Sequence, residues 1–235
     1  MLEQGTIFVY NENILIRGVV PMSDLQTIKY ETKRKNLYLR VALGHFATSN
    51  RHTNYYIDVV SQKTRLSEAK AVAEELASYY YADTKVDTIL CLDGTEVIGA
   101  CLANFLTKSD NIVNFNRHKS IYVVSPEYTN SNQILFRDNI VPMIKDKNVM
   151  ILAVSVSSGK TVLAAIDAIR YYGGTVTGIS SIFSTEKDCI GYPVHSIFDP
   201  NDLDGYDVWR PHECPFCKQG LKLDALINSH GYSKL

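Results

Sequence analysis

The stretch that decides the fold is Val149-Met-Ile-Leu-Ala-Val-Ser-Val-Ser-Ser-Gly-Lys-Thr161, in which an apolar run leads into small hydroxyl residues and a glycine. The apolar part, 149–154, is typical of a strand buried on both faces of a parallel sheet. A helix is predicted from Lys160 to about Tyr172, where Gly173-Gly174 ends it. Unpaired N–H groups at the helix start, together with the loop hydroxyls, favour a bound phosphate. A capped helix without a ligand remains the alternative.

Short apolar runs alternate with predicted helices on both sides of this stretch. The further strands are predicted at 87–92, 121–124, 175–183 and 193–198, and the further helices at 67–81 and about 96–107. This alternation predicts an α/β fold with a mostly parallel, five-stranded sheet from about 85 to 200, flanked by helices. Ligands of such sheets bind at the carboxyl ends of the strands, so the loop Leu92-Asp93-Gly94-Thr95-Glu96 is a second candidate.

The N-terminal region has a different pattern. Residues 6–17 are predicted to form a hairpin around Asn11-Glu-Asn13, and 53–60 a strand. A helix is predicted from Ser23-Asp24 to about Leu43. Arg117, His118 and Lys119, which precede the strand at 121–124, are interpreted as a solvated turn.

Composition excludes several classes of protein. The 235 residues are 46% hydrophobic and 21% charged, which is ordinary for a globular chain. The 24 Lys+Arg and 25 Asp+Glu residues give a net charge of −1, so no basic field favours nucleic acid. No run is long enough for a membrane helix, and no secretory signal is predicted. Five cysteines, an odd number, favour a reducing, cytoplasmic setting.

Four stretches together resemble the type I phosphoribosyltransferases, and specifically the orotate phosphoribosyltransferases. Residues 44–58 are similar to the family's N-terminal segment, and 92–100 to the loop that contacts pyrophosphate. Residues 149–161 occupy the place of the signature that binds phosphoribosyl pyrophosphate (PRPP). Residues 214–220 resemble a Cys-Pro-x-Cys-x-x-Gly tail.

The resemblance implies a type I phosphoribosyltransferase fold and a homodimer. It implies three segments: an N-terminal hood and substrate segment at 1–84, a phosphoribosyltransferase core at 85–200, and a C-terminal tail at 201–235. Its ligands would be PRPP, a nucleoside monophosphate or another sugar phosphate, with Mg²⁺ if the protein is catalytically active. The implied site residues are Ser155, Ser157, Ser158, Gly159, Lys160 and Thr161 for phosphate, Asp93, Gly94, Thr95 and Glu96 for pyrophosphate, and Ser49, Arg51, His52 and Tyr56 for substrate.

The sequence departs from the family pattern at positions that bind the ribose, the pyrophosphate and the orotate. The two acids that bind the ribose hydroxyls are replaced by Ala153 and Val154, which cannot accept a hydrogen bond through their side chains. No Lys or Arg lies between Val124 and Arg137, where the family carries the basic residues of its mobile loop. The arginine that grips orotate aligns near Ser184.

Two functions remain open from the sequence. The first is an orotate phosphoribosyltransferase-like enzyme whose activity is reduced or lost, in which Asp93 or Glu96 replaces the missing acids. The second is a non-catalytic or regulatory protein that binds a nucleotide or sugar phosphate on the same scaffold. A nucleotide P-loop ending at Ser158-Gly159-Lys160-Thr161 is disfavoured, since its first glycine position is occupied by Val154.

The tail contains Cys214 and Cys217 with His212 nearby. A structural zinc ion needs about four ligands, so this Cys-x-x-Cys pair is half a site, to be completed by His230 or by a second subunit. The sequence therefore favours thiols that pack or remain free over a zinc site at the tail. His45 and His52 are interpreted as partly buried, hydrogen-bonded side chains, with base recognition as the alternative.

Overall fold

The computed structural model describes residues 8–9, 15–16, 27–31, 37–108, 116, 120–131 and 133–235. The chain divides into two compact units: the first comprises Met1–Asp58 with Pro200–Leu235, and the second comprises Val59–Asp199. Residues 59–84, which the sequence analysis grouped with the N-terminal segment, lie in the second unit. The predicted turns at Asn11–Asn13 and at Arg117–Lys119 lie outside the described residues.

The described residues form short strands and helices, which alternate along the second unit. The strands are β1 (Phe8–Val9), β2 (Leu15–Ile16), β3 (Ile28–Glu31), β4 (Tyr38–Ala47), β5 (His52–Asp58), β6 (Thr88–Cys91), β7 (Tyr122–Val124), β8 (Glu127–Tyr128), β9 (Ile134–Leu135), β10 (Asn148–Val156), β11 (Thr175–Ser184), β12 (Asp188–Cys189), β13 (Tyr192–Phe198), β14 (Val208–Trp209), β15 (Ala225–Asn228) and β16 (Gly231–Lys234). The helices are α1 (Val60–Thr64), α2 (Leu66–Ala77), α3 (Glu96–Thr107), α4 (Lys160–Tyr171) and α5 (Pro215–Lys218), with 3₁₀ turns at Val141–Met143 and Pro200–Asp202. None of these helices is long and apolar enough to cross a membrane.

The second unit is built on a six-stranded sheet in the order β12-β13-β11-β10-β6-β7. Five of these strands are parallel, and β12 pairs antiparallel with β13 at one edge. The predicted α/β fold with a mostly parallel sheet of five strands is therefore confirmed. The strand at 149–154 and the helix beginning at Lys160 are both present.

Strand β10 is the centre of this unit because both of its faces are buried. Val149, Ile151 and Ala153 belong to one apolar cluster, to which α4 contributes Val162, Ala165, Ile166 and Ile169. Alternation along a strand sends the intervening side chains to the opposite face, and these are buried as well. A strand that packs on both faces reads as a continuous apolar run, which is why the sequence predicted it.

The first unit contains a second sheet, in the order β14-β5-β4-β15-β16, with β3 paired to the free edge of β4. β4 and β5 form an antiparallel hairpin, and the C-terminal strand β15 runs parallel to the end of β4. A small apolar cluster of Ala42, Phe46, Tyr56 and Ala225 joins the N-terminal hairpin to the C-terminal segment.

The helix predicted from Ser23 to about Leu43 is wrong in its described part. Residues Ile28–Glu31 and Tyr38–Ala47 are paired antiparallel strands instead. Burial alternates along the start of β4, where Leu39 and Val41 are buried and Tyr38 and Arg40 are half-buried. The helical spacing of the apolar residues was fortuitous. Ile28 of β3 pairs with Val41 of β4, and Val41 also pairs with Ile57 of β5, so both lie in a sheet. Leu25 lies outside the described residues.

Candidate functional site

The two strand-end loops singled out by the sequence leave the same edge of the sheet. Strands β6 and β10 are parallel neighbours, with Cys91 opposite Leu152. The loop after β6 is joined directly to β10, because the N–H of Leu92 donates to the carbonyl oxygen of Leu152 at 2.8 Å. The buried hydroxyl of Thr95 donates to the carbonyl oxygens of Leu92 (2.9 Å) and Leu152 (3.1 Å). Thr95 therefore has a structural role at the base of the loop.

The loop after β6 is a tight turn supported by a buried lysine. Asp93 and Gly94 both have positive φ, of 57° and 80°. The ammonium group of Lys63, a buried residue of α1, donates to the carbonyl oxygen of Asp93 at 2.7 Å. Burial lowers the pKa of Lys63, and the nearby charges of Asp93 and Glu96 partly oppose this. The carboxylate of Glu96 accepts a hydrogen bond from the Ser125 hydroxyl at 2.6 Å.

The loop after β10 presents hydroxyl groups at the start of α4. The exposed residues of this loop are Ser155, Ser157, Ser158, Lys160 and Thr161. Gly159 precedes the helix with φ of 68°, a conformation that favours glycine, and among the described residues no side chain caps this helix start. The loop backbone is fixed by two hydroxyls of β11 and its end: Ser184 donates to the carbonyl oxygen of Val156, and Thr185 to that of Ser157, both at 3.1 Å.

The positions of the two family acids lie inside the sheet. The side chains of Ala153 and Val154 are 1% and 2% exposed, and Ala153 belongs to the apolar cluster beneath α4. Mg²⁺ requires oxygen ligands, and these two side chains offer none. The Mg²⁺ that the resemblance implies does not fit at these positions.

The segment that corresponds to the basic mobile loop is a short hairpin of β8 and β9. Its first cation is Arg137, whose guanidinium donates to the Glu127 carboxylate through Nε at 2.9 Å and Nη2 at 2.6 Å. This contact lowers the pKa of Glu127, so the carboxylate remains ionised. The nearest loop cation is therefore already paired with an acid.

The substrate segment lies in the first unit and has two different environments. Ser49 and Arg51 lie in the turn between β4 and β5, where Thr48 closes the turn through the carbonyl oxygen and N–H of Arg51. His52 and Tyr56 are buried in the sheet instead. Burial, with a smaller effect of nearby Asp58, raises the pKa of the Tyr56 hydroxyl, which therefore remains protonated.

A cluster of four nitrogen and sulfur atoms lies beside the turn of the same hairpin. The ligand-type atoms of His45, His52, Cys214 and Cys217 all lie within 4.8 Å of one another. His212, by contrast, is exposed and faces Glu213 at 3.5 Å, outside this cluster. The expectation of a half site is corrected here, since His45 and His52 join the cysteine pair within a single chain. Burial, followed by the charge of His45, lowers the pKa of His52.

Sequence reasoning did not assign a role to Lys63 and did not group His45 and His52 with the tail. A signal for the histidines was present, because the polar run Thr48-Ser-Asn-Arg51 is a turn between two β-prone segments. A hairpin around that turn brings the two histidines close together. Lys63 had no comparable signal, since its contact with Asp93 depends on the packing of α1.

Comparison with solved structures shows the fold. The second unit has the type I phosphoribosyltransferase fold. The Leishmania donovani UMP synthase structure aligns with a TM-score of 0.51 and 20% identity, over 69% of this chain and 34% of that longer chain. The orotate phosphoribosyltransferase of Mycobacterium tuberculosis aligns with a TM-score of 0.50 and 16% identity, over 71% of this chain and 93% of that chain.

Curated sequences narrow the resemblance to the orotate branch. An orotate phosphoribosyltransferase of Chlorobaculum parvum is 23% identical over 186 residues, which are 77% of this chain and 86% of that relative. An orotate phosphoribosyltransferase of Pelotomaculum thermopropionicum is 22% identical over 181 residues, which are 76% of this chain and 85% of that relative. No family model matches the chain. The predicted resemblance to type I phosphoribosyltransferases of the orotate kind is confirmed.

Proposed function

We propose that this protein binds a phosphorylated ligand, either PRPP, a nucleoside monophosphate or another sugar phosphate, and does not transfer phosphoribosyl groups at ordinary enzymatic rates. The observation that carries the proposal is the burial of Ala153 and Val154 at the positions of the ribose-binding acids. The phosphate-binding loop and the ribose-binding acids of the family are adjacent in sequence. In this chain the phosphate-binding loop has side chains suited to its ligand, and the positions of the ribose-binding acids do not.

The phosphate part of the proposal is supported by the loop 155–161. Its hydroxyls are exposed, and Gly159 allows the backbone to approach an anion closely. The first N–H groups of a helix have no partner within the helix, and the helix dipole adds partial positive charge there. We assign the 5′-phosphate of the ligand to Ser157, Ser158, Gly159 and Thr161, with Lys160 and Ser155 at the rim. We assign the loop 93–96 to the ligand's second, pyrophosphate-bearing end.

The loss of transfer activity follows from charge. Displacing pyrophosphate from the sugar leaves a highly negative group, and preorganised cations and Mg²⁺ supply most of the rate enhancement. Lys63 lies beside the pyrophosphate loop, but its ammonium group already donates to the Asp93 carbonyl oxygen. Arg137 is paired with Glu127. Arg137 could reach a leaving group only by giving up Glu127, whereas Lys63 keeps its positive charge while it donates to a carbonyl oxygen and is one cation beside the loop.

The second candidate is an active orotate phosphoribosyltransferase. It is favoured by the names of the curated relatives and by the presence of acids in the loop after β6. In this alternative the carboxylates of Asp93 and Glu96 would take over the lost acid function. Glu96 is exposed and accepts a hydrogen bond from the Ser125 hydroxyl, so it is the better placed of the two.

A turnover assay separates the two candidates. The purified protein is incubated with PRPP, orotate and Mg²⁺, and formation of orotidine monophosphate is followed, with an active orotate phosphoribosyltransferase assayed in parallel. We expect turnover far below the range of about 1–10³ s⁻¹ that is usual for enzymes. Turnover within that range that disappears in a Glu96→Gln variant would establish the second candidate and overturn the first.

The homodimer implied by the resemblance is part of the same proposal. Sedimentation of the purified protein, with and without a nucleoside monophosphate, tests it. A single species of twice the chain mass is expected, and a monomer at all concentrations would contradict it.

A further inference from the structure

We propose that His45, His52, Cys214 and Cys217 form a structural zinc site. All four residues belong to the first unit. Two come from neighbouring strands of the N-terminal hairpin and two from the C-terminal tail, so the metal would join segments more than 160 residues apart in the chain. This inference does not depend on phosphate binding, because none of the four residues belongs to the loop at 155–161.

Four of the six distances between the ligand atoms are close to those around a tetrahedral zinc ion. Zn–S bonds of about 2.3 Å and Zn–N bonds of about 2.0 Å give tetrahedron edges of about 3.3–3.8 Å. His45 Nε2 lies 3.1 Å from His52 Nδ1, 3.4 Å from the Cys214 sulfur and 3.6 Å from the Cys217 sulfur. The Cys217 sulfur lies 3.3 Å from His52 Nδ1. Two imidazoles and two thiols are a ligand set of structural zinc sites, and four protein ligands leave no open position for catalysis.

The local backbone explains how the two histidines meet. The pairing of β4 and β5 is irregular between Leu43 and Phe46, so Gly44 and His45 lie in a β-bulge, a feature that redirects a side chain. A Cβ atom on Gly44 would lie 2.6 Å from a carboxylate oxygen of Asp224, and only glycine fits here without a shift. That same Asp224 oxygen accepts the N–H of His45 at 2.7 Å, which anchors the bulge to the tail.

The ring orientation of His45 suits a metal ligand. Its Nδ1 lies 3.1 Å from the carbonyl oxygen of Lys222. A carbonyl oxygen only accepts, so this bond requires the proton on Nδ1 and leaves the Nε2 lone pair directed at the cluster. Metal-bound histidines commonly carry such a second hydrogen bond, which fixes the tautomer. The ring of Phe216, between the two cysteines in sequence, packs on the His45 ring with centroids 5.2 Å apart.

The cysteines are positioned by a short turn of helix. Pro215 begins α5 directly after Cys214, and Cys217 lies in its last turn. Gly220 then closes the segment with φ of 72°, and its N–H donates to the Cys217 carbonyl oxygen at 3.0 Å. Cys214 is fully buried and Cys217 is exposed, so the cluster is open to solvent on one side only. Zinc therefore has a route into a site whose inner ligands are already in place.

Metal content and ligand identity test the proposal. The full chain, purified without added metal or chelator, is measured by plasma mass spectrometry and by X-ray absorption at the zinc edge. We expect about one zinc per chain, with two sulfur neighbours at about 2.3 Å and two nitrogen neighbours at about 2.0 Å. The Co²⁺-substituted protein should show the absorption of a tetrahedral cobalt–thiolate site.

Variants establish which residues bind the metal. Cys217→Ser, at the exposed ligand, should lose stoichiometric zinc, as should His52→Gln. The matched controls are His212→Gln and Cys101→Ser, which change the same residue types outside the cluster and should retain the metal. Full zinc content in Cys217→Ser, or equal loss in His212→Gln, would overturn the proposal.

Measurements on the wild-type protein test the proposal even if the variants fail to fold. Titrating the thiols of the folded wild-type protein with a mercurial should release one zinc as two thiols react. Unfolding temperature should fall on removal of zinc by a chelator and recover when zinc is added back. A metal-free purified protein that takes up neither Zn²⁺ nor Co²⁺ would show that the site is not a zinc site. A Cys214–Cys217 disulfide that persists when the protein is purified with a reducing agent would show the same.

Discussion

Ala153 of β10 lies directly opposite Ser181 of β11, and the two side chains are 1% and 0% exposed. Paired residues on neighbouring strands point to the same face of a sheet, so both lie on the face covered by α4. The position at which the family carries an acid for the ribose is therefore part of the apolar interior in this chain. A sugar hydroxyl cannot reach it without opening the sheet–helix interface.

Replacing Ala153 by an acid tests this placement. Ala153→Asp would bury a carboxylate in an apolar cluster, and we expect it to lower the free energy of unfolding by on the order of 3 kcal/mol. Urea denaturation measures the change. Ser155→Asp is the matched control, because Ser155 lies two residues further along β10 and is exposed. An Ala153→Asp protein as stable as the Ser155→Asp protein would show that the position is open to solvent.

Two adjacent serines of β11 should respond oppositely to alanine. The Ser180 hydroxyl lies 2.6 Å from the hydroxyl of buried Tyr80, whereas the Ser181 hydroxyl has no partner among the described residues. Ser180→Ala leaves the Tyr80 hydroxyl unpaired and should cost about 1–3 kcal/mol. Ser181→Ala removes an unpaired buried group and should be neutral or stabilising. Thermal unfolding of the two variants measures the difference, and equal destabilisation by both would contradict the assigned hydrogen bond.

A close contact between α3 and β6 requires a glycine at position 99. A methyl group on Gly99 would overlap the sulfur of Cys91 and would lie 3.1 Å from a methyl carbon of Val123. Gly99→Ala should therefore destabilise the protein by about 1–3 kcal/mol through overpacking. The double variant Gly99→Ala/Cys91→Ala removes the overlapping sulfur, so it should lose less stability than the sum of the two single changes. Strict additivity in urea denaturation would mean that the two residues are not in contact.

The proposed phosphate loop depends on Gly159. A Cβ atom there would lie 3.2 Å from the sulfur of Cys189, and the φ of 68° is strained for any other residue. Gly159→Val should abolish binding of nucleoside monophosphates, because the backbone can no longer approach the anion. Gly191→Val is the matched control for strain, since Gly191 also has positive φ but its Cβ would meet nothing within 4 Å. Calorimetric titration measures both, and unchanged affinity in Gly159→Val would remove the site from this loop.

The second unit was largely predictable from the sequence because its central strands β6 and β10 are buried on both faces. Such strands appear as continuous apolar runs, and the residues that follow them mark the ligand edge of the sheet. The segment around Val149–Thr161 illustrates this, since its strand and helix lie where the sequence placed them. The replacement of the two family acids was also visible in the sequence, because Ala153 and Val154 occupy their positions in the signature that binds PRPP.

The first unit was not predictable to the same degree, since long-range pairing decides its structure. Apolar residues in 28–31 and 38–47 have helical spacing, but the first segment pairs with β4 and the second with both β3 and β5, so both are strands. The four-residue cluster depends on two segments at opposite ends of the sequence. Spacing shows Cys214 and Cys217 as a pair, but only the fold shows that His45 and His52 complete it.

Calorimetric titration of the protein with PRPP, once in Mg²⁺ and once in EDTA, tests the central claim most directly. The account predicts binding that does not require Mg²⁺, so the dissociation constants in the two conditions should agree within about threefold, a difference in binding free energy of less than about 0.7 kcal/mol. Gly159→Val should show no heat in either condition. Binding that appears only with Mg²⁺ would contradict the account, because it would mean that the ligand is held through its metal-bound pyrophosphate and not through the phosphate loop.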